Sequence, residues 1–206
     1  MANYLVTGAA GFIGARTSTM LTEQGHTVVG VDNLNDAYDV RMKEYRLKNL
    51  QMLKGFEFVR DDISQRVILD RLAGRRFDAV INLAAWAGVR ASVKNPWVYA
   101  ETNVIGTLNM LELCLQTDCK KILLASTSSI YGANPPYPTP ETASSSEPLQ
   151  PYAASKKGAE VLTHSYRYLH NIDVSIVRYF TVFGPAGRPD LAIFRFVKWI
   201  HEGQPV

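Results

Sequence analysis

Tyr152-Ala153-Ala154-Ser155-Lys156 places a phenol and an ammonium four residues apart. On a helix that spacing is one turn, so the two groups share a face. A free tyrosine ionises near pH 10. A phenolate useful near neutrality therefore needs a shift of about three units, roughly 4 kcal/mol of preference for the charged form. A neighbouring cation pushes in that direction. A second polar cluster, Ser126-Thr127-Ser128-Ser129, follows the apolar run Lys121 to Ala125 and offers hydroxyls for a proton relay. Alone, a Tyr-x-x-x-Lys is an ordinary surface pair; its weight comes from what lies upstream.

Upstream, Asn3 to Thr7 is a short apolar run entering a loop with Gly8, Gly11 and Gly14. A helical segment opening at Phe12 and Ile13 follows, then Thr27 to Asp32, a second apolar run ending in a carboxylate. These are the parts of a dinucleotide site. Gly8 permits the tight turn, Gly11 lets backbone N–H groups reach a pyrophosphate, and Gly14 lets helix and strand close up. The helix N-terminus adds partial positive charge for the phosphates. Glycine spacing alone is weak, but Asp32 lies 18 residues after Gly14, placed to accept hydrogen bonds from an adenosine ribose. A carboxylate there repels a 2′-phosphate, and the first arginine after it is Arg41, so the site favours NAD over NADP.

The rest of the chain reads as alternating strands and helices. Tyr38 to Lys54 is a charged amphipathic helix, its bases Arg41, Lys43, Arg46 and Lys48 read as a solvated face rather than an anion site. Phe56 to Val59 is a third strand, ending at Asp61-Asp62-Ile63 where an adenine would lie. Gln65 to Ala73 suits a helix, and Ala79 to Leu83 a fully buried strand. The small residues Ala84 and Ala85 then allow close approach of a ligand. One long helix is expected from Asn95-Pro96 to Gln116, a fifth strand over Lys121–Ala125, and a Pro/Ser-rich loop over Ala133–Pro151, long enough for a functional lid. Tyr152 to His170 reads as helix, Ile172 to Arg178 as a sixth strand, Phe183 to Pro189 as a loop, and Ala192 to His201 as a last helix. This alternation predicts a doubly wound Rossmann-type α/β parallel sheet, with ligands at the C-terminal strand ends.

Composition narrows the class. The 206 residues fit one domain and part of a second, with 47% hydrophobic and 20% charged residues. A formal charge of +3 implies neither nucleic acid nor a membrane surface as partner. Cys114 and Cys119 suggest no disulfide framework and read as inert reduced thiols. The first strand begins almost at Met1, leaving no room for a signal peptide, and no apolar run approaches a membrane span. The expected compartment is the cytoplasm, and no metal site is assigned.

With glycine loop, hydroxyl cluster and Tyr-x-x-x-Lys together, the chain resembles the extended short-chain dehydrogenase/reductases. Leu83 to Gly106 resembles the nucleotide-sugar epimerases. Asp32-Asn33-Leu34-Asn35-Asp36 and the stretch from Arg178 to Asp190 narrow the resemblance to the UDP-glucuronate 4-epimerases. The resemblance implies that Tyr152 takes the sugar 4-hydroxyl proton, that Lys156 lowers its pKa and binds the nicotinamide ribose, and that Thr127 hydrogen-bonds the reacting oxygen. It implies NAD as a retained cofactor, taking a hydride from sugar C4 and returning it to the other face of a transient 4-ketose. Asp62 and Ile63 would contact adenine and Asp32 with Asn33 the ribose; Leu83, Ala84, Ala85 and Asn103 would form the inner cofactor wall, with Phe180 near the nicotinamide. Thr181 and Arg188 match positions addressing a sugar carboxylate, with Arg90, Ser128 and Ser129 nearby.

The alternatives are a non-catalytic NAD-binding fragment, a UDP-glucose 4-epimerase, and an NAD-dependent sugar-nucleotide dehydratase or decarboxylase. The last two activities usually place acidic residues beside the catalytic hydroxyl, where this chain has Ser128-Ser129. Asn82 departs from the resemblance, standing where many relatives have histidine. Residues 1–185 read as the NAD-binding domain and 186–206 as the start of an incomplete nucleotide-sugar domain, truncated at its C-terminal side, so that the chain alone is expected to epimerise little or not at all. Pairing through helices at 97–116 and 152–169 is expected, with Leu108, Leu111 and Leu115 shared between core and partner.

Overall fold

A computed structural model describes residues 1–206. Six strands, β1 (Asn3–Thr7), β2 (Thr27–Asp32), β3 (Phe56–Arg60), β4 (Ala79–Asn82), β5 (Lys121–Thr127) and β6 (Asp173–Tyr179), form one sheet in the order β3-β2-β1-β4-β5-β6. Every neighbouring pair is parallel. The doubly wound Rossmann architecture is thus present. Strand order reverses between β1 and β4, which opens the crevice outside their carboxyl ends.

The helices are α1 (Phe12–Glu23), α2 (Val40–Gln51), α3 (Ile68–Leu72), α4 (Val89–Lys94), α5 (Trp97–Tyr99), α6 (Gly106–Gln116), α7 (Pro151–His170) and α8 (Ala192–His201). The larger core lies where Leu5, Val80 and Ile122 of the sheet meet Ile68 and Leu72 of α3 and Met110, Leu111 and Leu113 of α6. Each such side chain, taken fully out of water, contributes about 1.5–3 kcal/mol. Val6, Ala9 and Val28 make a smaller cluster. Pro151 occupies the first turn of α7, where its missing N–H costs no hydrogen bond.

Three expectations need correction. The helix expected over 95–116 is continuous from Trp97 to Gln116 but not regular: α5 passes into a π-helical stretch, Ala100–Ile105, before α6 follows. A short helix, α4, also precedes it, unread because its six residues carry no periodicity. Leu111 lies wholly within this chain's own core, so it is not shared with a partner. The thiols of Cys114 and Cys119 are free and buried. No helix is long and apolar enough to cross a membrane.

Candidate active site

A cavity of about 420 Å³ runs along the carboxyl ends of the strands. Its wall takes Gly8, Gly11, Phe12, Ile13 and Gly14 from the first loop and Asp32 and Asn33 from the end of β2. Asp62 and Ile63 follow β3, and Leu83, Ala84 and Ala85 follow β4. Thr127, Ser128 and Ser129 come from β5 and the turn after it; Tyr152 and Lys156 from α7; Phe180, Thr181 and Arg188 from the segment after β6.

The glycine loop is built to be close. Gly8 sits at φ +67°, and a Cβ there would stand 2.9 Å from Ala84 backbone atoms. A Cβ on Gly14 would overlap the Gly8 carbonyl oxygen. Only hydrogen fits at either position, so the backbone presents a side-chain-free cradle at the start of α1. That cradle suits a pyrophosphate. At the end of β2, Asp32 accepts from Ala10 N (3.1 Å) and Leu34 N (2.8 Å). Asn33 Nδ2 donates to Asp62 Oδ2 (2.9 Å), tying the end of β2 to the segment after β3.

The sequence reading missed α2. Lys43 and Arg46 are each only 6% exposed. Lys43 Nζ lies 3.6 Å from Asp32 Oδ1 and donates to Asn35 Oδ1 (2.8 Å), and it lines the cavity with Asn35 and Tyr38. Burial pushes the Lys43 pKa down, with Asp32 opposing. Arg41 and Lys48 are solvated as expected, whereas Lys43 and Arg46 turn inward, and Lys43 forms part of the cavity wall. The signal was available: Tyr38, Lys43 and Arg46 recur where the apolar residues Leu47 and Leu50 also point inward.

At the other end, Lys156 is 3% exposed and donates from Nζ to the Ala125 carbonyl oxygen (2.9 Å). Burial alone lowers its pKa to about 8. Burial also raises the pKa of Tyr152, and the Thr127 hydroxyl and the charge of Arg188 pull it back. The net direction for Tyr152 is upward, with Thr127 and Arg188 opposing the burial. Thr127 in turn donates to Ser129 Oγ (3.3 Å) and accepts from Ser129 N (3.2 Å).

Several expected residues lie elsewhere. Asn103 does not line the cavity; it is buried within the π-helical turn, where Oδ1 accepts from Trp86 N (3.0 Å) and Nδ2 donates to Trp86 O (3.1 Å) and Ser155 Oγ (2.9 Å). It therefore braces the Ala84–Gly88 loop against the residue preceding Lys156. Arg90 is exposed on α4, outside the cavity wall. Arg188 forms a two-pronged pair with Asp190 (3.0 and 2.6 Å) at the cavity edge. Asn82, the departure from the resemblance, accepts from Thr7 Oγ1 (2.7 Å) and donates to Thr107 Oγ1 (3.2 Å), so it staples β1 and β4 to α6. The 133–150 loop contributes no cavity residue; Arg178 holds its Glu141 carbonyl (2.8 Å) and Lys157 its Ser145 hydroxyl (2.7 Å). These two bonds strap the loop to β6 and α7.

A doubly wound sheet, a glycine cradle and a Tyr/Lys/Thr cluster at its crevice agree with comparison to known proteins. Residues 4–206 match the NAD dependent epimerase/dehydratase family, and the chain belongs to it. It is 54% identical over 208 residues to a UDP-glucuronate 4-epimerase of Thermodesulfobacterium geofontis, covering 100% of this chain and 64% of that protein. A probable UDP-glucuronate 4-epimerase of Rhizobium meliloti is 47% identical, with 98% of this chain and 60% of the relative covered. Among solved structures, a UDP-glucuronic acid 4-epimerase from Bacillus cereus, in complex with UDP-glucuronic acid and NAD, superposes with a TM-score of 0.89. It is 35% identical and covers 98% of this chain and 64% of that one. A UDP-glucose 4-epimerase from Thermotoga maritima, with UDP-glucose, gives 0.88 at 31% identity, covering 99% and 64%. The fold alone therefore does not choose the sugar. The chain spans under two thirds of the length of these relatives.

Proposed function

We propose that these residues form the cofactor domain and acid–base centre of an NAD-dependent UDP-sugar 4-epimerase, acting on UDP-glucuronate and UDP-galacturonate. The observation that carries the reading is the convergence of Thr127, Tyr152 and Lys156 on one cavity that also holds the glycine cradle and Asp32. The 54% identity to a UDP-glucuronate 4-epimerase supports the uronate over a neutral hexose. Residues 1–185 would bind NAD, and 186–206 would begin the nucleotide-sugar domain.

Bound NAD would supply reversible hydride acceptance at sugar C4. The glycine cradle and the start of α1 hold its pyrophosphate, Asp32 and Asn33 the adenosine ribose, and Ile63 the adenine edge. Tyr152 removes the proton of the 4-hydroxyl and returns it to the epimeric oxygen. Thr127 Oγ hydrogen-bonds that oxygen, so its developing charge meets a donor already in place. Lys156, buried and held by the Ala125 carbonyl, would offer its remaining donors to the nicotinamide ribose. Arg188 exchanges Asp190 for the sugar carboxylate, two planar forks of the same geometry. Pairing of two copies would use the apolar residues that α5, the π-helical turn and α7 leave exposed, among them Trp97, Ile105 and Val161.

A buried cation is costly in a module that only binds. Its presence beside Tyr152 favours catalysis over passive binding. The test is to extend these 206 residues to the relatives' length and incubate the protein with NAD and UDP-glucuronate. UDP-galacturonate should accumulate to equilibrium without net NADH. Release of CO2 with a UDP-pentose and no net NADH, or of CO2 with stoichiometric NADH and a UDP-4-ketopentose, would instead make it a decarboxylase.

A further inference from the structure

Arg46 does not line the cavity, yet its buried guanidinium joins two segments that border it and are far apart in the chain. Nη1 donates to the Ala10 carbonyl of the glycine loop (3.3 Å) and to the Tyr38 hydroxyl (3.0 Å). Nη2 donates to the carbonyls of Ala186 (2.7 Å) and Gly187 (3.3 Å), 140 and 141 residues further along the chain. Those two residues immediately precede Arg188. Ala186 is held at φ +55°, a left-handed conformation that a side chain disfavours and that needs an outside hold. The Arg46 and Arg188 guanidinium carbons lie 5.8 and 5.7 Å from the centroid of the same Tyr38 ring. Ala10 meanwhile donates its N–H to Asp32 Oδ2. One side chain therefore spans the cradle, the ribose carboxylate's partner and the loop carrying the sugar-facing arginine.

The geometry points to Arg46 as a positioning residue that makes placement of the Ala186–Arg188 segment depend on occupancy of the glycine cradle by the dinucleotide. This deepens the epimerase reading and rests on it. A bound pyrophosphate fixes the loop containing Ala10. Ala10's carbonyl then fixes the Arg46 fork, and the fork fixes the Ala186 and Gly187 carbonyls, setting Arg188 at the cavity edge. An ammonium could not do this, because it lacks the planar fork that reaches acceptors on both sides. The dinucleotide would thus tighten the whole relay, and the sugar nucleotide would meet its most firmly held uronate site only after the dinucleotide was in.

Amide hydrogen exchange on the 206-residue chain, with and without NAD, tests this. In the wild type, NAD should slow exchange over residues 8–14 and also over 183–191. In Arg46→Met, close in size but uncharged, NAD should still protect 8–14. The NAD-dependent protection of 183–191 should fall about tenfold, the weight of one charge-assisted hydrogen bond. Arg46→Lys keeps the buried charge and guards against a variant that fails to fold; it should lose the same NAD-dependent protection. A purely structural role would raise exchange over 183–191 equally with and without NAD, and that result would overturn the proposal. So would wild-type protection of 183–191 that survives both substitutions, since direct contact with the dinucleotide would then explain it. Absence of protection at 8–14 in the wild type would instead remove the cofactor reading beneath it.

Discussion

Lys156 Nζ and the Ala125 carbonyl oxygen meet at 2.9 Å across the gap between α7 and the end of β5. That bond holds a cation with almost no access to water beside Tyr152, and the protein bears a cost for it. The Lys156 pKa is lowered from its ordinary 10.5 to about 8, with burial as the cause. Between those two values the unfolded chain binds a proton that the folded chain does not, so stability rises with pH across that window. Below pH 8 the whole cost of the charged form is present, about 3 kcal/mol.

Lys156→Met in the NAD-free protein should therefore be stabilising at pH 7. Removing the charge gains about 3 kcal/mol, and losing the bond to Ala125 returns about 1 kcal/mol of that. The gain should shrink as pH rises from 8 through 10.5, above which the wild-type lysine is neutral in both states. Urea unfolding at pH 7 and pH 9.5 measures it. Equal stability at pH 7 would show that water reaches the ammonium.

Asp32 and Lys43 lead to a prediction about cofactor choice. The chain should bind NAD more tightly than NADP, because a 2′-phosphate would meet the Asp32 carboxylate. Asp32→Ser should narrow or invert that ratio, since Lys43, now 3.6 Å from Asp32, would be released to pair with the phosphate. NAD affinity itself should fall as well, through loss of the bonds to Ala10 and Leu34. Titration of both dinucleotides into both proteins gives the ratio. An unchanged ratio would mean that neither side chain reads the 2′ position.

The layout of the sheet was legible in the sequence because strand and helix periodicities are local. The runs ending at Asp32, Leu83 and Ala125 all deliver their last residues to one crevice, as their order requires. What was not legible depends on distant partners. Arg46 looks like a solvated base until the carbonyls of Ala186 and Gly187, far along the chain, fold over it. Asn103 carries the polarity expected of a cofactor contact, but the π-helical turn rotates it onto Trp86 and Ser155. Leu111 has the spacing of an interface residue and is absorbed by the core. In each case composition was read correctly and direction was not, because direction is fixed by tertiary contacts.

Arg188 and Asp190 pair at the cavity edge with partial exposure, so the pair itself contributes at most about 1 kcal/mol and yields easily to a ligand carboxylate. In a polypeptide of the relatives' length, Arg188→Ala should weaken UDP-glucuronate and UDP-galacturonate much more than UDP-galactose. Asp190→Asn should leave the guanidinium unopposed and tighten uronate binding. Competition titrations with the three nucleotides decide it. Equal losses for charged and neutral sugars would reassign Arg188 to the diphosphate or to structure, and the substrate would return to an unspecified UDP-hexose.

Tyr152→Phe isolates the proton step. The substitution removes one oxygen and leaves the ring, which packs edge-on against Tyr99 at a centroid distance of 6.1 Å. Packing and NAD affinity should therefore stay close to wild type. Turnover in the length-completed protein should fall by about 10²–10⁴-fold, the usual cost of losing a positioned base. The loss should appear equally in both directions of epimerisation, because the same phenol serves both half-reactions. Thr127→Val offers the matching control: it keeps the base but removes the hydroxyl that pulls the Tyr152 pKa down. Its pH–rate profile should shift to higher pH, with activity partly recovered under alkaline conditions. Tyr152→Phe should show no such recovery at any pH. If both variants regained activity with rising pH, hydroxide or another group would be taking the proton, and Tyr152 would be a binding residue rather than the base.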